Sequence, residues 1–245
     1  MRRFFFNPVQ RQGDTVTLRE SESRHICRVL RLKEGESVEL VDDTGRVFSA
    51  IIKEAAQLVR LVVQGEGYTP ASGSTRLLVG VSAIKIKKME LLLQKCTELG
   101  VDAFYPVAAA RSQGNLIRQY EGKNERWHRI IEEACKQSLR PLPMDLHKMV
   151  SFAELLCLPE VQTGGSNLLF YEKEQKTSLV PWLAECRAGS TIMLLFGPEG
   201  GFTGEEVADA LSAGWSTASL GERLLRAETA VIAAVSIVQH HLGHM

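Results

Sequence analysis

Along the first seventy residues, apolar and polar positions alternate in short runs. The segments "DTVTLRE", "ESVELVDD", "RVFSAIIKE" and "QLVRLVVQG" are rich in β-branched residues and are separated by turn material such as "KEGE" and "DDTG". That pattern predicts strands with one face buried. Between the first two lies "SESRHICRVLRLKEG", in which Ile26, Val29, Leu30 and Leu32 fall close to one helical face. One short helix ending at Gly35 is expected there. A small β-barrel carrying one helix is the economical reading. The stretch 65–75, "GEGYTPASGST", is rich in Gly, Ser, Thr and Pro and reads as a linker.

From Arg76 the period changes. "RLLVGVSA" predicts a buried strand, and in "KIKKMELLLQKCTELG" the residues Met89, Leu92, Leu93 and Cys96 share a helical face that Gly100 closes. "VDAFYPVAA" follows as a strand, then "KNERWHRIIEEACKQSL" as a helix stopped by Pro141 and Pro143. "NLLFYEK" and "TIMLLFG" are two further strands. Thr203 and Glu206 fit a T-x-x-E capping box at the start of a helix that Gly214 ends. "STASLG" is a last short strand, and "RAETAVIAAVSIVQHHLG" a helix apolar nearly all round, which predicts packing on two sides. Strands alternating with helices imply an α/β domain with a largely parallel sheet.

Composition narrows the class without naming a function. The chain has 245 residues, 44% hydrophobic and 24% charged, as expected for a globular protein with a substantial core. Its five cysteines, Cys27, Cys96, Cys135, Cys157 and Cys186, are scattered without a C-x-x-C pair, which argues against a disulfide framework or a metal site and fits a reducing compartment. The opening residues "MRRFFFNPVQRQGD" lack the apolar core of a signal peptide, and the run "AVIAAVSIV" is far too short to span a bilayer. A cytoplasmic protein without a membrane partner is expected. Net charge is zero, but its distribution is uneven. Residues 76–140 carry 12 basic and 7 acidic side chains, whereas residues 141–245 carry 6 and 12. Any surface that grips nucleic acid is therefore local.

Two segments carry chemistry. In "LLFGPEGGFTGEE" an apolar strand runs into Gly197, Pro198, Glu199, Gly200 and Gly201 and then into the capped helix. Such a unit bares backbone N–H and C=O groups at the carboxyl end of a sheet, where α/β folds bind ligands. The loop matches neither a phosphate-binding nor a dinucleotide-binding glycine pattern, and Glu199 would repel phosphate. In "LGERLLRAETA" a second glycine corner carries Glu222, Arg223, Arg226 and Glu228 into the last helix. Those charges either serve a ligand or form an ordinary i, i+3/i+4 ion-pair cluster capping the helix.

"FGPEGGFTGEE" followed by "LGERLLRAETA" resembles the C-terminal signature of the SPOUT methyltransferases, and more narrowly the RsmE family of bacterial 16S ribosomal RNA uridine-N3 methyltransferases. "HICRVLRLKEG", "KMELLLQKCTELGV" and "RWHRIIEEACKQSLRP" resemble three further motifs of that family, in order and at suitable spacing. Two departures are Ala227, where the family pattern has threonine, and Ala110, where it often has glutamate.

The resemblance implies an N-terminal PUA-like β-barrel over residues 1–72 and a trefoil-knotted methyltransferase domain over 73–245. It also implies a homodimer and S-adenosylmethionine as methyl donor, with 16S rRNA within the 30S subunit as partner. The expected cofactor-binding residues are Tyr171, Glu172, Phe196, Gly197, Gly200, Gly201, Leu220 and Leu225. Arg226 is expected to stabilise negative charge on the uracil, with Glu228 as orienting carboxylate or base. Expected phosphate contacts are Arg3, Arg24, Arg28, Arg31, Lys85, Lys87, Lys88 and Arg111. Phe4, Phe5 and Phe6 are expected to pack into the barrel rather than stack on bases, and His25 to be structural. A methyltransferase acting on another ribosomal or transfer RNA nucleotide, a non-catalytic RNA-binding assembly factor and a phosphate-binding nucleotide enzyme are the competing readings.

Overall fold

The computed structural model describes residues 2–69, 75–163, 165–186 and 189–245. The expected linker is only partly among them: residues 65–68 continue a strand, while 70–74, with the expected domain boundary, lie outside the described residues. The chain forms two compact units, Met1–Ser72 with Cys135–Leu142, and Gly73–Ala134 with Pro143–Met245.

The first unit contains β1 (Arg3–Phe5), β2 (Arg11–Gln12), β3 (Thr15–Thr17), α1 (Glu20–Arg24), β4 (Ser37–Val41), β5 (Val47–Ala55) and β6 (Val59–Tyr68). Its sheet runs β1-β4-β5-β6-β3-β2, antiparallel except for the β1/β4 pair. Alternation along the strands sends Val16, Val38, Leu40, Ala50, Ile52, Leu61 and Val63 into one core, joined by Phe4, Phe6 and Ile26. β1 and β2 stand at the two ends of this six-stranded order. The helix ends earlier than expected. After α1 it widens into a π-helical turn over His25–Leu30 and stops at Arg31, whose φ of 52° is left-handed. The N–H groups of Arg31 and Leu32 both donate to the Ile26 carbonyl, which closes the helix without a glycine. Gly35 instead shapes the turn into β4, its N–H bonding the Ile52 carbonyl.

The second unit is α/β. Its elements are β7 (Arg76–Ser82), α2 (Ile86–Glu98), β8 (Ala103–Ala108), α3 (Gly114–Tyr120), α4 (Asn124–Ser138, of which the residues from Cys135 on count with the first unit), β9 (Asp145–Leu146), β10 (Val150–Ser151), α5 (Phe152–Leu156) and α6 (Pro159–Gln162). There follow β11 (Ser166–Phe170), α7 (Leu179–Ala184), β12 (Thr191–Phe196), α8 (Gly204–Ser212), β13 (Ser216–Ala218) and α9 (Ala227–His241). The sheet order is β10-β8-β7-β12-β11-β13, every pair parallel, with β9 added on β8. The buried face of α2 is the expected one, Met89, Leu92, Leu93 and Cys96, and α9 packs against that helix. Gly100, with φ of 82°, ends α2 where a Cβ would lie 2.7 Å from Gln239 Nε2, and that amide donates to the Leu99 carbonyl at 2.6 Å. The capping box of α8 is formed by Thr203 and Glu206. The helices α3, α5, α6 and α7 were not apparent from periodicity, because they are too short to repeat an apolar face. Since all the strands are parallel, the segments that follow β7, β8, β11, β12 and β13 emerge at one edge of the sheet.

Candidate active site

Three of those segments build a cavity of about 750 Å³. Residues 196–201 follow β12, Phe170, Tyr171 and Glu172 follow β11, and residues 218–227 follow β13. β11 lies between β12 and β13, so the three loops are spatial neighbours although the first and last residues are far apart in sequence. Phe170 and Phe196 stand opposite each other in the β11/β12 register, and their rings stack at 4.5 Å with 10° between planes. The size suits a small-molecule cofactor.

The glycine loop is held from several directions. Gly201 has φ of 67°, and a Cβ there would lie 2.6 Å from Glu172 Oε1, so only glycine lets the Glu172 carboxylate approach. Arg111, after β8, donates from Nη1 to the carbonyls of Gly200 at 2.8 Å and Phe202 at 3.2 Å. Buried Glu206 accepts from Ala110 N at 2.7 Å and from Thr203 N at 2.8 Å, tying the segment after β8 to the start of α8.

Charge on the wall is ordered by Lys88. From the first turn of α2 its Nζ donates to Glu199 Oε1 at 2.7 Å and stands 3.2 Å from Glu228 Oε2. Hydrogen bonds to these carboxylates hold the Lys88 ammonium above its ordinary pKa. The same contact holds Glu199 below the carboxylate range. Burial would raise Glu228, but its own backbone N–H at the start of α9 and the Lys88 ammonium more than offset this, and its pKa is lowered. Its Oε2 is buried and otherwise lacks a hydrogen-bond partner among the described residues.

Every expected cofactor residue lines this cavity: Tyr171, Glu172, Phe196, Gly197, Gly200, Gly201, Leu220 and Leu225, together with Arg226 and Ala227. Arg226 caps α9, is exposed, and its guanidinium makes no hydrogen bond or ion pair among the described residues. The alternative of an internal ion-pair cluster at 222–228 is not realised, because Glu228 pairs instead with Lys88 of a different helix. Glu228 itself is not on the cavity wall; held below the carboxylate range and standing 3.2 Å from the Lys88 ammonium, it is a weaker base than an ordinary carboxylate. Of the expected phosphate contacts, Arg28, Arg31, Lys85 and Lys87 are exposed, and Arg24 is exposed while paired with Glu20. Arg3 is corrected: its guanidinium is nearly buried against Glu39 at 2.7 Å and also meets the Leu139 carbonyl. Lys88 and Arg111 are likewise engaged inside the site, by Glu199 and Glu228 and by the loop carbonyls respectively. Phe4 and Phe6 are buried, and His25 meets Phe4 edge-on. What sequence reasoning missed is Phe170 and the true partners of Lys88; Glu199 stands 111 residues away, beyond any local pattern.

The family model described as an RNA methyltransferase domain matches residues 72–239, and that of an RNA methyltransferase PUA domain matches residues 18–62. The Ribosomal RNA small subunit methyltransferase E of Bacillus subtilis (strain 168) is 31% identical to this chain over 98% of it and 96% of the relative. The protein of that name from Synechocystis sp. (strain ATCC 27184 / PCC 6803 / Kazusa) is 33% identical over 91% of this chain and 72% of its own. The crystal structure of a Ribosomal RNA small subunit methyltransferase E from Neisseria gonorrhoeae bound to S-adenosyl methionine superposes with a TM-score of 0.81 at 28% identity, covering 98% of this chain and 97% of that one.

Proposed function

This chain belongs to the RNA methyltransferase family, among the ribosomal RNA small subunit methyltransferases E, and on that premise we propose that it methylates N3 of a uridine in 16S rRNA with S-adenosylmethionine as donor. The observation that carries the reading is the cavity where three adjacent strand ends converge, with an unpaired arginine on its wall. When bound, the cofactor supplies a methyl group on a sulfonium that departs as a neutral thioether.

The residues fit such a group. Gly197, Gly201 and Leu220 offer main-chain groups to a nucleoside, and the stacked Phe170 and Phe196 provide an apolar floor. Glu172, Glu199 and Glu222 give the wall carboxylates suited to a cationic ligand. Uridine N3 becomes nucleophilic on losing its proton to solvent water, which leaves negative charge on the uracil ring and carbonyls. Arg226, free of other partners, stabilises that charge, and enclosure by the loops holds nucleophile and methyl in line. Glu228 remains ionised and orients the neighbouring cations. The exposed cations Arg24, Arg28, Arg31, Lys85 and Lys87 attract RNA phosphates.

The trefoil knot belongs to this reading. It is supported by the strand order, in which β12 enters between β7 and β11 after both have been laid down. So does the homodimer, supported by Leu224, an apolar side chain 85% exposed on the rim of the cavity itself. No helix among the described residues is long and apolar enough to cross a membrane; a cytoplasmic location belongs to this reading and is supported by a ribosomal RNA substrate.

The test is incubation with labelled cofactor and 30S subunits from a strain lacking the modification, followed by nucleoside analysis. Label on N3-methyluridine is expected. Label elsewhere overturns the substrate, and absence of cofactor binding by calorimetry overturns the enzyme class.

A further inference from the structure

We propose that Lys88 is a positioning residue that fastens the glycine loop to the N-terminus of α9, setting the shape of the cofactor cavity through Glu199 and Glu228. The proposal rests on the reading of this cavity as a cofactor site. Lys88 leaves α2 one turn after β7, and its ammonium lies between two carboxylates from separate loops, 2.7 Å from Glu199 and 3.2 Å from Glu228. Glu199 is fixed to the middle of the Gly197–Gly201 loop, and Glu228 to the first turn of the helix that Arg226 caps. One cation thus joins the two walls between which the cofactor would lie.

Charge balance separates this role from two others. Lys88, Glu199 and Glu228 sum to one negative charge, so the group as a whole does not attract RNA phosphate or a uridinate. Nor is Glu228 stable in place alone: its Oε2 is buried and has only the Lys88 ammonium, at 3.2 Å, to compensate it among the described residues, so removing that ammonium leaves the carboxylate oxygen uncompensated. The charged groups bearing on Glu228 are Lys88 from α2 and Arg226 from its own turn, and on Glu199 they are Lys88, Lys85 and Arg226. Arg226 is exposed, whereas Lys88 is half-buried between the two carboxylates.

The test uses the full chain and three variants, Lys88→Met, Lys88→Arg and Glu199→Gln. Carbon-13 NMR titration of the side-chain carboxyls, with Glu228 assigned from Glu228→Gln, needs neither cofactor nor RNA. In Lys88→Met the Glu228 carboxyl is expected to titrate about one pH unit or more higher, and in Glu199→Gln lower than in the parent, because Lys88 then serves one carboxylate. Cofactor affinity by calorimetry should fall about tenfold or more in Lys88→Met and recover most of the loss in Lys88→Arg. An unmoved Glu228 carboxyl in Lys88→Met, or unchanged cofactor affinity, overturns the proposal. If Lys88→Met does not fold, the Glu199→Gln titration decides alone, and no downward movement overturns the bridge. Should the parent protein bind no S-adenosylmethionine, the enzyme reading fails while the titrations still judge the ion pairs.

Discussion

Arg226 stands at the N-cap of α9, its guanidinium without a hydrogen bond or ion pair among the described residues, while its neighbour two residues on is held by Lys88. Arg226→Ala is therefore expected to lower single-turnover methyl transfer by about a hundredfold or more while leaving cofactor affinity nearly intact. Full turnover at unchanged affinity removes Arg226 from the scheme. Gly201→Ala should do the opposite, weakening the cofactor first, because φ of 67° and the Glu172 carboxylate leave no space for a methyl group. The two lowered carboxyls also give a pH expectation. Glu199 and Glu228 lie below their ordinary value of 4.5, so their stabilisation is complete above that pH and is lost as pH falls through the lowered values. Cofactor affinity should be level between about pH 6 and 8 and fall only in more acid solution, as calorimetry across that range would show. An inflection near neutrality assigns control to a different group. At this scale the residues expected at the cofactor do line one cavity, while the contacts of Lys88 with Glu199 and Glu228 were not legible, because a lysine in a basic helix start looks the same whether it meets phosphate or a carboxylate beyond local range.

Among the elements, α8 was the most completely readable. Thr203 and Glu206 form the expected capping box, with Thr203 Oγ1 accepting from Glu206 N at 3.1 Å. Its unexpected part is the second oxygen of Glu206, which accepts from Ala110 N and so attaches the β8 loop. Thr203→Ala should cost about 1 kcal/mol in chemical denaturation, as a lost helix cap does. Glu206→Ala should cost more, about 2 kcal/mol or above, because two backbone donors lose their acceptor near the buried side of the sheet. Equal losses in the two variants would mean that the Ala110 contact contributes nothing. The helix after β3 shows the converse. Its apolar spacing was correctly helical, but its end depended on Arg31 entering the left-handed region, which a search for glycine misses.

For the whole molecule, RNA affinity should fall steeply with added salt, with the exposed cations of both units contributing. Replacing Arg28 or Arg31 by alanine should lower the salt slope by about one each. Arg3→Ala should leave the slope alone and reduce stability instead, since Arg3 is committed to Glu39. A slope change in Arg3→Ala, measured by filter binding across a salt series, would restore it to the RNA surface.

Taken alone, the sequence determined most of the longer strands and helices, because alternation and 3.6-residue spacing report which face is buried; the short helices α3, α5, α6 and α7 repeat no face and escaped it. It also placed the two glycine corners and the capped helix, since those depend on local backbone demands. Only the tertiary structure decided the spatial strand order, with β12 between β7 and β11, and the joining of Lys88 to Glu199 and Glu228. Those features depend on pairings between residues widely separated along the chain. Strand pairing and ion pairing are satisfied by any complementary partner, and which partner is met is settled when the whole core packs.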